Sequence, residues 1–258
     1  MIKFFRHIRQ RLIKENRFSK YLLYAIGEIV LVVIGILIAL QINNWNEQSK
    51  TEQSAKEQLK LLTQNVSDDI QKLKELNQSI TAKISAGELL SHQFQEIKPY
   101  DRLTTNYLVE ILFEQNFYND RTAYDKLILS GEYSVFPTEL QNQISEYYSL
   151  LDRVKEREEI SNTFIKNEIE PHYFNTYSKY IRKGSNLHPL VVDYYKNDKR
   201  QPILLDVEQI KNDSKMEGLN FGSLYQSRTQ QEFYEKAIEK GNLIKKLIDN
   251  YLKTNVKI

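Results

Sequence analysis

The sequence predicts a mainly α-helical protein, with one N-terminal transmembrane helix followed by an elongated extracytoplasmic helical bundle. Residues 22–42 form one long apolar run. The chain has only 8 glycines and 5 prolines in 258 residues, less than half of the usual combined share of about 12%. No proline lies between Met1 and Pro99, and apolar residues recur there at helical spacing. These three observations favour long helices joined by few turns.

The apolar run reads LLYAIGEIVLVVIGILIALQI and contains one ionisable side chain, Glu28. At 1.5 Å per residue it reaches roughly 30 Å, the thickness of a hydrocarbon core. The alternative is a cleaved signal peptide, with a shorter apolar region followed by a small-x-small site. The run is too long for that, and Leu37 stands three positions before a cut after Ala39. We therefore predict an uncleaved signal anchor at 21–45.

The flanks of this segment predict its orientation. The first 20 residues contain one acidic residue, Glu15, and seven basic ones: Lys3, Arg6, Arg9, Arg11, Lys14, Arg17 and Lys20. By the positive-inside rule, residues 1–20 form a cytoplasmic arm and residues 46–258 an extracytoplasmic α-helical domain.

The arm also carries an apolar stripe at helical spacing, formed by Ile2, Phe5, Ile8 and Leu12. This pattern is typical of an amphipathic helix on an anionic leaflet, so the lipid bilayer is the predicted partner of the basic residues. A nucleic-acid-binding arm is the less favoured alternative, because a neighbouring membrane already accounts for the charge.

One face of the transmembrane helix has the composition of a helix-association surface. At 100° per residue, Glu28, Val32, Gly35 and Ala39 share this face, and Gly35 with Ala39 forms a small-xxx-small pair. We expect the helix to associate with itself or with another helix. A protonated or snorkelling Glu28 is the structural alternative, and a proton- or ion-coupled role for Glu28 is a third possibility.

A long membrane-proximal helix is predicted from about residue 46 to 97. Its heptad positions are Leu59, Leu62, Val66, Leu73, Leu76, Ile80, Leu90, Phe94 and Ile97. Asp69, Lys83 and Gly87 interrupt the frame, and Ile70 and Ile84 lie one position off it. An interrupted heptad is typical of one helix in an intramolecular bundle.

Shorter helices are predicted downstream. The first is capped by Asp101 and carries Leu103 to Leu112, and the second, at 122–130, is stopped by Gly131. The third runs from Pro137 to about Glu170 and ends before Pro171. A fourth at 172–183 is terminated by Gly184, and a last helix covers 228–253. Residues 184–226 are predicted to be irregular. Within them, 191–195 and 203–207 fit either short strands or helical turns.

The sequence offers no recognisable catalytic, cofactor-binding or metal-binding constellation. Cysteine is absent, which excludes disulfides and cysteine-based zinc sites. His92, His172 and His188 form no HExxH motif, and Pro171 separates Glu168 from His172, so we read His172 as a surface or capping residue. There is no glycine-rich phosphate loop, GxSxG elbow or EF-hand loop. We therefore expect a protein that is not an enzyme.

Two segments resemble a known family. The opening MIKFFRHIRQRLIKENRFSKYLLYAIGEIVLVVIGILIALQINNWNE resembles the N-terminus of uncharacterised proteins of Bacteroidota, chiefly flavobacteria. The segment TAYDKLILSGEYSVFPTELQNQISEYY is similar to that family's helix–Ser-Gly–helix region. The resemblance carries over no activity. It implies a Gram-negative host, and hence an inner-membrane anchor with a periplasmic domain.

Three functions are compatible with these features. The favoured one is a protein–protein interaction or scaffold module of the envelope, with a protein partner or a homo-oligomer and no nucleic acid. The alternative is an extracytoplasmic sensory module that binds a ligand, which needs a partner because a 20-residue arm holds no output domain. The least favoured is an enzyme with an unrecognised site.

Overall fold

A computed structural model describes residues 18–183, 189–201 and 203–254. These residues form eight α-helices and no strand: α1 (Phe18–Phe94), α2 (Thr104–Glu110), α3 (Thr122–Leu129), α4 (Thr138–Phe164), α5 (Glu170–Thr176), α6 (Pro189–Tyr194), α7 (Val207–Lys211) and α8 (Ser214–Thr254). Short 3-10 helices at Glu132–Val135 and Ser178–Lys183 and a π-helical turn at Ile165–Ile169 complete them. The prediction of a mainly α-helical protein is confirmed.

The chain divides into two compact units, Met1–Glu57 and Gln58–Ile258. In the first unit, one helix of the described chain is long and apolar enough to cross a membrane, and none of its apolar window is buried. The predictions for Lys3, Arg6, Arg9, Arg11, Lys14 and Arg17, and for the side chain of Lys20, lie outside the described part of the chain.

In the second unit, the core side of α1 follows the predicted heptad. Leu59, Leu62, Val66, Leu73, Ile80 and Leu90 have no exposed surface. The prediction for Ile97 was wrong, because α1 ends at Phe94 and the Ile97 side chain is 64% exposed. Glu96 ends the helix with a positive φ of 57°. The following amides of Ile97 and Lys98 then donate to the carbonyl of His92, as in other left-handed helix ends.

The residues that interrupt the heptad also point into the core. Asp69 and Lys83 are 0% and 2% exposed. A Cβ on Gly87 would lie 2.8 Å from Leu224 Cδ2, so glycine allows α8 to approach α1 closely at this position. The interruptions therefore mark buried positions that are occupied by polar or small residues.

Pro171 does not end a helix, contrary to the prediction. The chain remains helical from α4 through the π-helical turn into α5, where Pro171 lies in the first turn. A proline inside a regular helix removes an amide donor and clashes with the carbonyl four residues earlier. The wider turn at Ile165–Ile169 moves this carbonyl away and relieves the conflict.

The prediction for the last helix was also wrong, since α8 begins at Ser214 and not near residue 228. Gly218 and Gly222 lie inside it, and a Cβ on Gly222 would lie 2.6 Å from the Phe164 ring. Close packing therefore explains Gly222 better than a chain break does. Of the two ambiguous segments, 191–194 is helical, and 203–206 has no regular structure before α7 begins at Val207.

The remaining helix ends differ in how well they were predicted. Helix α3 ends as predicted, followed by Gly131 with a φ of 74°. Asp101 does not cap α2 directly, because its carboxylate accepts the amide of Leu103, which precedes the helix. Helix α2 ends at Glu110, earlier than the predicted Leu112.

Two glycines of α8 predict opposite effects of the same substitution. A Cβ on Gly241 would lie 2.9 Å from Ile70 Cγ1, whereas Gly218 has no atom within 4 Å of that position. Gly241→Ala is expected to lower the free energy of unfolding by about 1–3 kcal/mol through overpacking. Gly218→Ala is expected to raise it by about 0.5–1 kcal/mol through helix propensity. Urea unfolding of the purified full-length protein measures both changes in the free energy of unfolding. Equal changes in the two variants would contradict close packing of α8 at Gly241.

Candidate functional site

The second unit is organised around an extended segment, Phe113–Arg121, which we call the strap. It has no helical structure and runs between α2 and α3. Its side chains alternate like those of a β-strand: Gln115 and Phe117 are buried, whereas Asn116 and Tyr118 are exposed. A buried backbone needs partners for its amides and carbonyls. In the described chain no strand is present to supply them.

Side chains of α1 and α4 supply these partners instead. Lys83 Nζ donates to the carbonyl of Phe113 at 2.9 Å. Asn162 acts at Gln115 as a neighbouring strand would: its Oδ1 accepts the Gln115 amide at 3.2 Å, and its Nδ2 donates to the Gln115 carbonyl at 2.8 Å. One carboxamide therefore satisfies both backbone groups of a buried residue.

Glu158 of α4 extends the same network to the last helix, α8. Its Oε2 accepts the amide of Phe117 at 2.8 Å, and its Oε1 accepts the hydroxyl of Tyr234 on α8. Gln230 Nε2 donates to the same hydroxyl at 2.6 Å. Burial raises the pKa of Glu158, while the hydrogen bonds from Tyr234 and the Phe117 amide oppose this effect. The strap, α4 and α8 thus meet at one buried carboxyl group.

The far end of the strap is held at the surface. Lys72 Nζ donates to the Tyr118 carbonyl at 2.9 Å, and Asn65 Nδ2 donates to Asp120 Oδ2 at 2.7 Å. Arg121 forms an ion pair with Asp152 of α4 at 2.8 Å. Exposed pairs of this kind contribute little stability each, so the buried contacts of Lys83, Asn162 and Glu158 dominate.

Lys83 is a buried ammonium group with a structural contact. Burial lowers its pKa to about 8, and the nearby carboxylates of Glu110 and Glu114 oppose the decrease. Burial also raises the pKa of Glu110. Because Lys83 Nζ donates to the carbonyl of Phe113 in the strap, Lys83 anchors the start of the strap to α1.

Two grooves flank the strap and share its residues Asn116, Phe117 and Tyr118. The groove beside α1 has a volume of about 480 Å³, and the groove beside α4 about 460 Å³. Tyr118 stands between them with 74% of its surface exposed. An exposed aromatic ring between two grooves is a surface suited to binding. Glu158 is not available there, because both of its carboxylate oxygens are already hydrogen-bonded.

A second polar cluster fixes the start of α8. Asp213 Oδ1 accepts the amide of Met216 at 2.9 Å. Its Oδ2 accepts the Tyr177 hydroxyl at 2.6 Å and lies 2.7 Å from His172 Nε2. Burial acts to raise the pKa of Asp213, but the three hydrogen bonds outweigh it and the pKa is lowered. His172 thus supports a helix cap.

The site residues predicted from the sequence lie in the first unit. Glu28, Val32, Gly35 and Ala39 lie on α1, and Gly35 has no atom within 4 Å of a Cβ position. Ala39 lines a shallow groove on the helix surface that also includes Trp45. In the described part of the chain, no group of three or more histidine, aspartate or glutamate side chains has a geometry that holds a metal ion.

Sequence reasoning missed Glu158, Asn162 and Tyr234. A signal for Glu158 was present, because the apolar positions Leu151 and Val154 continue at helical spacing to Glu158. A carboxyl group at a core position needs a buried partner. The identity of that partner, a backbone amide from a distant segment, has no sequence signature.

Removal of the Tyr234 hydroxyl tests the network. Tyr234→Phe leaves Glu158 Oε1 and Gln230 Nε2 without this partner, so we expect the free energy of unfolding to fall by about 1–3 kcal/mol. Tyr225→Phe on the same helix is the matched control, because Tyr225 is 61% exposed; its effect is expected to stay within about 0.5 kcal/mol. Equal effects in urea unfolding would show that the buried bond contributes nothing.

Comparison with known proteins places the chain in a family. A family model matches residues 28–181, which include α1 from Glu28, the strap and all of α4. No curated protein and no solved structure matches the chain. The matched range covers more than half of the chain, and the protein therefore belongs to a family of unknown function (DUF6090).

Proposed function

We propose that this protein is a single-pass inner-membrane protein whose helical unit lies in the periplasm and acts as a protein–protein interaction or scaffold module. The observation that carries the proposal is the exposure of residues 22–42. Leu23, Ile29 and Leu31 are 73%, 64% and 69% exposed on a continuous helix. Apolar surface of this extent is stable only when it is removed from water, and its length matches a hydrocarbon core.

The flanking residues support the orientation. The basic arm precedes the apolar segment, and the positive-inside rule assigns it to the cytoplasm, against the anionic leaflet. Trp45 follows the segment and is 72% exposed, at the depth where interfacial tryptophans occur. In this proposal the protein has the lipid bilayer as one partner and does not bind nucleic acid.

Single-cysteine variants test the topology, since the natural chain has no cysteine. Ser19 and Ser149 are both exposed, and in the sequence Ser19 precedes the apolar segment and Ser149 follows it. We expect Ser149→Cys to react with a membrane-impermeant maleimide in cells with a permeabilised outer membrane. Ser19→Cys should react only after the inner membrane is disrupted. The reverse pattern, or labelling of both residues in intact spheroplasts, would contradict the proposal.

The interaction role rests on surfaces that are open for contact. On α1, the face of Glu28, Val32, Gly35 and Ala39 allows close approach of a second helix, because Gly35 presents no side chain. In the second unit, the exposed Tyr118 and its grooves offer another surface. The buried polar groups of Glu158, Lys83 and Asp213 are bonded to structural partners, so the proposal includes no enzymatic activity.

Glycine substitutions test the helix face. Gly35→Ile places a branched side chain on the proposed face, whereas Gly27→Ile places the same side chain about 100° away from Glu28. Both positions are open on the helix. After crosslinking in native membranes and purification through a C-terminal tag, we expect Gly35→Ile to lose most of the crosslinked homo- or hetero-complex and Gly27→Ile to retain it.

Mass spectrometry of the purified complex then identifies the partner. Recovery of one stoichiometric envelope protein, or of a homo-oligomer, supports the interaction role of the helix if Gly35→Ile abolishes that complex. Recovery of the wild-type protein as a monomer alone would contradict it.

A further inference from the structure

Asp69 has an environment that the strap network does not explain. Its side chain is completely buried, and among the described residues neither carboxylate oxygen forms a hydrogen bond of normal length and angle, although the backbone amide of Asp120 lies close enough to act on the carboxylate. The hydroxyls of Tyr147 and Tyr148 and both side-chain amide atoms of Asn119 are also buried without a partner. Buried polar groups without partners are rare in folded proteins, so this group of residues calls for a functional explanation.

Three elements surround Asp69. On α1 itself the charged neighbours are Asp68 and Lys72; on the strap it is Asp120, whose backbone amide also acts on Asp69. From α4, Tyr147 and Tyr148 face Asp69. The groups around Tyr148 are Arg121, Asp120 and Asp125. The ammonium group of Lys72 is within ion-pair distance, with its Nζ 3.9 Å from Asp69 Oδ1.

This environment disfavours the ionised carboxylate. Burial raises the pKa of Asp69 from 3.8 to about 6, against the opposing effects of the Asp120 amide and Lys72. A negative charge in a buried site is costly when the nearby donors compensate it only in part, whereas the protonated acid has a hydroxyl that can donate to a neighbouring oxygen. The proton therefore stabilises this part of the fold.

We infer that Asp69 is a proton-sensing residue that controls how tightly the far end of the strap, at Tyr118, is held. Lys72 is the link, because its ammonium group lies between two acceptors, the Tyr118 carbonyl at 2.9 Å and Asp69 Oδ1 at 3.9 Å. With Asp69 protonated, Lys72 holds the strap at Tyr118. When Asp69 ionises, the buried charge attracts Lys72, and the strap is released near Tyr118 and its two grooves.

The sign of the pH dependence follows from the raised pKa. The stabilisation by the Asp69 proton is complete at a pH below 3.8, the pKa of Asp69 in the unfolded chain. It is lost as the pH rises through about 6, the pKa of Asp69 in the folded protein. Over the whole titration of Asp69, the unfolding constant should increase on the order of 100-fold. Between pH 4.5 and 7.5 alone, it should increase roughly 30-fold.

The first test is urea unfolding of the full-length protein in detergent at pH 4.5 and 7.5, followed by circular dichroism. The Asp69→Asn variant has no titratable group at position 69, so we expect it to lose the roughly 30-fold increase in unfolding constant between the two pH values. Asp68→Asn is the matched control, because Asp68 is exposed and adjacent; it should retain the increase. Equal pH dependence in the wild type and Asp69→Asn would overturn the inference.

The second test reads the strap directly. Chymotrypsin cleavage after Tyr118, normalised to an unfolded peptide of the same sequence, should be slow at pH 5.5 and severalfold faster at pH 7.5 in the wild type. Asp69→Asn should be slow at both values, and Lys72→Gln fast at both. If cleavage of the wild type shows no pH dependence, or if Lys72→Gln behaves like the wild type, the link through Lys72 is wrong.

Discussion

The second unit depends on the hydrogen bonding of an extended backbone that has no strand beside it. Gln115 and Phe117 are buried, and their peptide groups lie between helices whose own backbone groups are already paired. Side chains must therefore act as the missing strand. This constraint accounts for the polar residues Asn162 and Glu158 at positions where α4 would otherwise carry apolar ones.

Each of these side chains brings a further requirement. A buried carboxyl group needs more than one donor, and Tyr234 of α8 provides the second one for Glu158. That bond requires α4 and α8 to pack closely. Gly222 permits such contact against Phe164 of α4, and Gly241 permits it against Tyr147. The polar network and the glycines of α8 are therefore two aspects of the same packing.

The sequence predicted the parts of the fold that depend on periodicity. The buried heptad of α1, the end of α3 before Gly131 and the apolar segment all follow from side-chain spacing and local conformation. The π-helical turn before Pro171 was not predicted, because a proline is ordinarily expected to end a helix and not to follow a widened turn. The early start of α8 at Ser214 was not predicted, because Gly222 owes its place to packing against the distant Phe164. Asp69 and Lys83 were visible as interruptions, but only the structure shows that they lie in the core beside the strap.

The central claim is that side chains protect the strap backbone, and residue-resolved amide hydrogen exchange tests it most directly. The Gln115 and Phe117 amides donate to Asn162 and Glu158 at 3.2 and 2.8 Å. We predict that both exchange at least about 10³-fold more slowly than in an unfolded chain, as amides opened only by sub-global unfolding do, and that Asn162→Ala selectively accelerates Gln115. Exchange of both amides at the unfolded rate in the wild type would contradict the account.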